Sequence, residues 1–136
     1  MKTTETGKYS KKWQTRFDFF ERYGAPKTKE FRIAIRQEKF FRRLLINMNY
    51  YAFFFGCIYF FIIGLWRKNL ALIAIIAVFS VIQLMVEEAT GSRFPAVFDL
   101  IINLLTAMIW GITANYAYYL NEVKGSKSWN PFEGIL

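Results

Sequence analysis

Three long stretches without a charged side chain constrain this chain more than any other feature. They are Leu44–Trp66 (23 residues), Asn69–Val86 (18 residues) and Leu100–Leu120 (21 residues). A helix rises about 1.5 Å per residue and a hydrocarbon core is about 30 Å thick, so about 20 apolar residues suffice to cross it. One such run is compatible with a buried helix of a soluble domain. Three within 136 residues leave too little polar surface to cover them. The chain therefore reads as an all-α integral membrane protein. The first run begins only at Leu44 and no small-x-small cleavage site follows it, so it is expected to remain as an anchor.

Charge is distributed as unevenly as hydrophobicity. Residues 1–43 hold 13 Lys and Arg against five acids, which accounts for the whole net charge of +8, and the remainder balances at zero. The positive-inside rule then puts the N-terminus in the cytoplasm. Residues 1–43 form a basic amphipathic region, residues 44–136 the membrane domain, and residues 121–136 its short C-terminal tail.

The same rule bears on the number of crossings. Three full spans would export Arg67, Lys68, Lys124 and Lys127. If Leu44–Trp66 is instead re-entrant or interfacial, the two later runs cross alone, the acidic loop Glu87–Asp99 faces out, and 17 of 18 bases stay inside. Charge favours two transmembrane helices plus a re-entrant segment; three transmembrane helices are the alternative. An unbroken helix from Leu44 to Val86 would be about 65 Å long, so it must bend. Gly56 is the expected break and Gly64 the next.

In the basic region, Trp13, Phe17 and Phe20 recur at helical spacing until Gly24 and Pro26 stop the helix. Thr28 then caps a second pattern with Phe31, Ala34, Ile35, Phe41 and Leu45 on one side, flanked by Arg32, Arg36, Lys39 and Arg43. Such helices lie on anionic headgroups, or their aromatics pack together as a cytoplasmic cap. The candidate lipid-surface contacts are Trp13, Arg16, Phe17, Phe20, Phe31, Arg32, Arg36, Lys39, Phe41, Arg42, Arg43, Arg67 and Lys68. No zinc-finger spacing or RNP-like strand accompanies the basic residues, so no nucleic-acid partner is expected.

Near the end of the third run, Asn115, Tyr116, Tyr118, Tyr119 and Asn121 read as an interfacial aromatic belt. Gln83 and Asn103 read as interhelical hydrogen-bonding groups. Ala107, Gly111 and Ala114 form a small-residue stripe that packs a helix of another chain or, within the chain, the second apolar helix.

The stretches AFFFGCIYFFIIGLWRKNLALIAI (Ala52–Ile75), ANYAYYLNEVKGSKSWNP (Ala114–Pro131) and WQTRFDFFERYGAP (Trp13–Pro26) resemble a domain-of-unknown-function family of short bacterial inner-membrane proteins that includes YigF and YigG. The resemblance covers most of the chain. It implies an inner-membrane location and assigns no catalytic or ligand residues. The family often has proline after the glycine at position 56; this chain has Cys57.

With no histidine, neither a Ser-His-Asp nor a Cys-His arrangement can be built. No P-loop, GxGxxG, HExxH or EF-hand pattern occurs, and the apolar runs carry no ionisable Asp, Glu, Lys or Arg for a proton relay. The expectation is a small non-enzymatic inner-membrane protein without metal or cofactor. Its partners would be the lipid bilayer with its anionic headgroups, a membrane protein, or a second copy of itself. The alternative is a subunit of an oligomeric channel or transporter, with Gln83, Asn103 and Asn115 facing its axis.

Overall fold

Glycines and helix caps divide residues 7–136 into six helices. The computed structural model describes residues 7–136, and all regular structure among them is helical. The first six positions of the basic region, Lys2 and Glu5 among them, lie outside the described residues. Helix α1 (Lys11–Tyr23) stops at Gly24, whose φ of 80° lets its N–H return to Phe20 O. Helix α2 (Lys29–Gln37) is capped by Thr28, whose Oγ1 accepts from Phe31 N at 3.3 Å.

The pattern expected to continue from Thr28 to Leu45 is broken. Glu38 and Lys39 are extended, at ψ 150° and 149°, so α3 (Phe40–Asn47) is a separate helix. The break takes Phe41 out of the face it shares with Phe31 and leaves it 83% exposed.

Helix α4 (Tyr50–Ile62) follows Met48 and Asn49, both extended. Helix α5 (Trp66–Thr90) and helix α6 (Ala96–Glu122) complete the chain. By length and composition, three helical stretches can cross a membrane: 40–62, 66–90 and 96–122. In that count the chain matches the three-helix alternative and is an all-α membrane protein.

The path of the first stretch is bent. Gly56 sits at φ 45°, ψ −118°, inside α4, a conformation closed to side chains with a Cβ. Tyr51 and Tyr59, eight positions apart, would lie about 12 Å apart along a straight helix. Their rings instead stack at 5.9 Å, and Asn49 Nδ2 reaches Tyr59 OH at 3.3 Å. The segment folds back on itself. It ends in a Schellman motif: Leu65 N donates to Phe60 O at 2.8 Å and Gly64 N to Phe61 O at 3.2 Å. Both expected breaks, Gly56 and Gly64, are therefore present.

Two apolar clusters hold these elements. In one, Phe17, Phe19, Phe20, Phe31 and Ile35 close over Ile46, Tyr116, Tyr119 and Leu120. Burying each phenylalanine contributes about 1.5–3 kcal/mol. In the other, Ala52, Phe60, Leu65 and Leu72 pack around Trp110, Ala114 and Ala117. Beyond these clusters, Ile75–Gln83 of α5 and Asp99–Ile109 of α6 flank a groove of about 400 Å³. Their outer faces, from Leu70 to Val86 and from Val97 to Met108, are rich in exposed aliphatic side chains, as a lipid-facing surface must be.

Candidate functional site

The folded-back α4 is held against α6 by amides. Asn49 caps α4 through Oδ1 to Ala52 N (3.2 Å), while its backbone N–H donates to Gly111 O at 2.9 Å. Its Nδ2 donates to Asn115 Oδ1 at 3.1 Å. Asn115 Nδ2 in turn donates to Ile46 O (2.9 Å) and Leu45 O (3.3 Å), carbonyls that α3 leaves free where it ends. A second relay fixes the tip: Trp110 Nε1 donates to Asn69 Oδ1 at 3.0 Å, and Asn69 Nδ2 to Cys57 O at 2.8 Å. Asn49, Asn69 and Asn115 are at most 1% exposed. In an apolar setting such groups are tolerated only when paired, and these are.

The small-residue stripe serves the same packing. Gly111 and Ala114 are buried, and Ala107 is half-buried. A Cβ at Gly111 would meet Phe53 Cβ at 3.3 Å, Met48 Cε at 3.4 Å and Asn49 O at 3.5 Å. Gly111 therefore faces the α3–α4 junction, while Ala114 packs in the cluster that holds Ala52 of α4 and Leu72 of the second apolar helix. Asn115 is likewise turned into its own chain, not toward an oligomer axis. Gln83 does bond across helices, to Asp99 Oδ1 at 2.9 Å. Asn103 is exposed on the groove and has no hydrogen-bond partner among the described residues.

The expected lipid-surface residues separate into two groups. Arg32, Arg36, Lys39, Phe41, Arg42 and Arg43 are exposed along α2 and α3, beside exposed Ile33 and Phe40. Phe17, Phe20 and Phe31 are withdrawn into the cap, 0–3% exposed, and are not surface contacts. The reason is that α6 supplies them with a partner face of Tyr116, Tyr119 and Leu120. These tyrosines, expected as a belt, thereby lie under protein. Trp13 is half-buried with its ring 4.5 Å from that of Tyr118.

Lys68 is also buried, at 2% exposure, and pairs with Glu133 Oε2 at 3.0 Å. Burial works to raise the Glu133 carboxyl, but hydrogen bonds from Lys68 and Ser126 outweigh it and hold it below the usual carboxylate range. Arg67 Nη1 donates to Lys127 O at 3.0 Å. The C-terminal tail thus docks on the start of α5, and Lys27 N donates to Gly134 O at 2.9 Å.

Arg16 is the exception among the buried cations. It is 7% exposed, donates through Nε to Leu45 O at 2.7 Å, and lies 4.5 Å from the centre of the Trp13 ring. No carboxylate lies within 4.0 Å of it among the described residues. Burial lowers its pKa to about 10, which still leaves it charged at neutral pH. It lines an open groove of about 410 Å³ with Ser10, Lys12 and Trp13 on one side and Phe41, Leu44, Tyr50 and Tyr51 on the other.

Sequence comparison adds relatives matched over nearly their full length. The chain is 31% identical over 128 residues to "Uncharacterized protein YigF" of Salmonella typhimurium, covering 91% of this chain and 93% of that one. It is 32% identical over 128 residues to the protein of that name in Escherichia coli K12, with the same coverage. No solved structure matches. Residues 4–124 match a family defined only as "Protein of unknown function", DUF2628, and the chain belongs to that family.

Proposed function

We propose that this chain is a multi-pass protein of the bacterial inner membrane, with its N-terminus in the cytoplasm, that acts through contacts with lipid or a membrane-protein partner and catalyses no reaction. In this reading α5 and α6 cross the bilayer, and α4 enters and leaves on the cytoplasmic side. The observation that carries it is the depth of α4. Its bend at Gly56 lies against the Trp110 ring, a Cβ there falling 3.7 Å from it. Trp110 is about 21 Å, at about 1.5 Å per residue, from the far end of α6 at Ala96. The chain then returns to Gly64–Lys68, which shares a cleft with Asn121, Ser126 and Lys127. Arg67, Lys68 and the C-terminal tail thereby join the basic region on one side, as the positive-inside rule favours.

A phosphatase active only in the periplasm, fused after Lys68 and separately after Leu136, tests the topology. Low activity at both positions is expected. High activity at both would establish three spans and overturn the re-entrant reading.

A further inference from the structure

We infer that the groove beside Arg16 is a binding site for the phosphate of an anionic phospholipid, with Arg16 and Lys12 as its cationic end and the α3–α4 wall as its acyl-chain contact. The inference rests on the proposed placement of the basic region at the cytoplasmic membrane face.

Three observations combine. First, the charge on Arg16 is uncompensated: the residue is 7% exposed overall, and its unbonded guanidinium nitrogens open onto the groove. Among the described residues the other buried cation, Lys68, has Glu133 at 3.0 Å, and exposed Arg42 has Glu38 at 3.2 Å. A guanidinium held beside apolar groups with no anion next to it is stabilised when an anion fills the site. Only Nε is committed, to Leu45 O, so the remaining donors of the fork have no acceptor among the described residues. That fork suits two phosphate oxygens.

Second, the polar groups converge. Lys12 stands one turn before Arg16 on α1, and Ser10, at the helix N-cap, makes no side-chain capping bond. Both line the same groove as Arg16.

Third, the opposite wall is apolar and continues onto the outer surface. Leu44, Tyr50 and Tyr51 line the groove, and Phe41, 83% exposed, stands at its rim. A soluble anion has no use for that wall, whereas a lipid places its phosphate at the cations and its chains along Phe41 and Leu44. The tyrosines are the amphipathic type found at headgroup level.

The test uses the full chain in a non-ionic detergent, titrated with short-chain phosphatidylglycerol and read by tryptophan fluorescence, since Trp13 adjoins the site. Saturable binding is expected, weakened about tenfold or more in Arg16→Gln, from the loss of a charge-assisted fork. Lys12→Gln, at an exposed position that does not bear on folding, is expected to weaken binding several-fold, and Arg16→Lys to retain part of it. Inorganic phosphate at the same concentration should give no saturation. Competition by inorganic phosphate at equal affinity would show a free-anion site and overturn the lipid assignment. Equal affinity for an uncharged diacylglycerol, or unchanged binding in both Arg16→Gln and Lys12→Gln, would overturn the site itself. The phosphatase fusions report the topology separately, so failure of either leaves the other readable.

Discussion

Asn115→Leu removes the side chain that joins α6 to the α3–α4 junction. The replacement keeps the branched outline and the number of side-chain heavy atoms, so the change with the largest effect is the loss of hydrogen bonding. Leu45 O keeps the Arg16 Nε donor at 2.7 Å, and Asn49 Nδ2 keeps Tyr59 OH at 3.3 Å. Ile46 O, bonded to Asn115 at 2.9 Å, has no other side-chain donor and becomes a buried orphan. An unsatisfied buried carbonyl costs about 1–3 kcal/mol, and a polar side-chain bond between membrane helices contributes about 0.6 kcal/mol. The expected loss is therefore about 2–3 kcal/mol. Unfolding by increasing sodium dodecyl sulfate in mixed micelles, followed by far-ultraviolet ellipticity, measures it. A double-mutant cycle with Asn49→Ala isolates the Asn49–Asn115 bond, expected at about 0.6 kcal/mol. Asn103→Leu, on the open groove, is the control and should change stability by less than about 0.5 kcal/mol. If Asn115→Leu matches that control, the amide cluster does not hold α4 against α6.

Three further outcomes are expected. Gly56→Ala forces a Cβ into φ 45°, costing about 1–3 kcal/mol; equal stability to the unmodified chain in the same titration would contradict the fold-back. Gly134→Leu drives a side chain into the Tyr116 ring, which a Cβ alone would already contact, so the docked tail should detach and become sensitive to limited proteolysis. The Glu133 carboxyl titrates lower in the folded protein than in the unfolded chain, so it contributes stability above its unfolded pKa. That contribution is lost as pH falls through the folded value. Thermal midpoints of the unmodified chain and Glu133→Gln should therefore differ most above about pH 4.5, with the unmodified chain higher, and converge as pH falls from there through the lower folded value; a gap independent of pH would exclude the linkage.

Local chemistry made much of the fold legible. Gly24, Thr28, Gly56 and Gly64 act through their own backbone or a neighbour three residues away, and each marks a helix boundary or bend as read. Partners far along the chain were not legible. Nothing beside Asn49 in the sequence marks it as a bridge between helices, because its amide partner stands 66 residues later. Phe17, Phe20 and Phe31 have the periodicity of a membrane-surface helix, and periodicity gives a face without saying what covers it. The isolated charge of Arg16 was hidden for the same reason. Nothing in a sequence shows that the nearest carboxylates, Asp18 and Glu21, leave it unpaired.

The amide cluster also orders events during synthesis. Asn49 leaves the ribosome 66 residues ahead of Asn115, and Asn69 leaves 41 residues ahead of Trp110. At about 5–20 residues per second, the α4 hairpin waits about 3–13 s for the groups that satisfy it. During that interval Asn49 and Asn69 lack the partners that satisfy them in the folded chain. The last helix made is therefore the one that completes the packing of the first apolar segment.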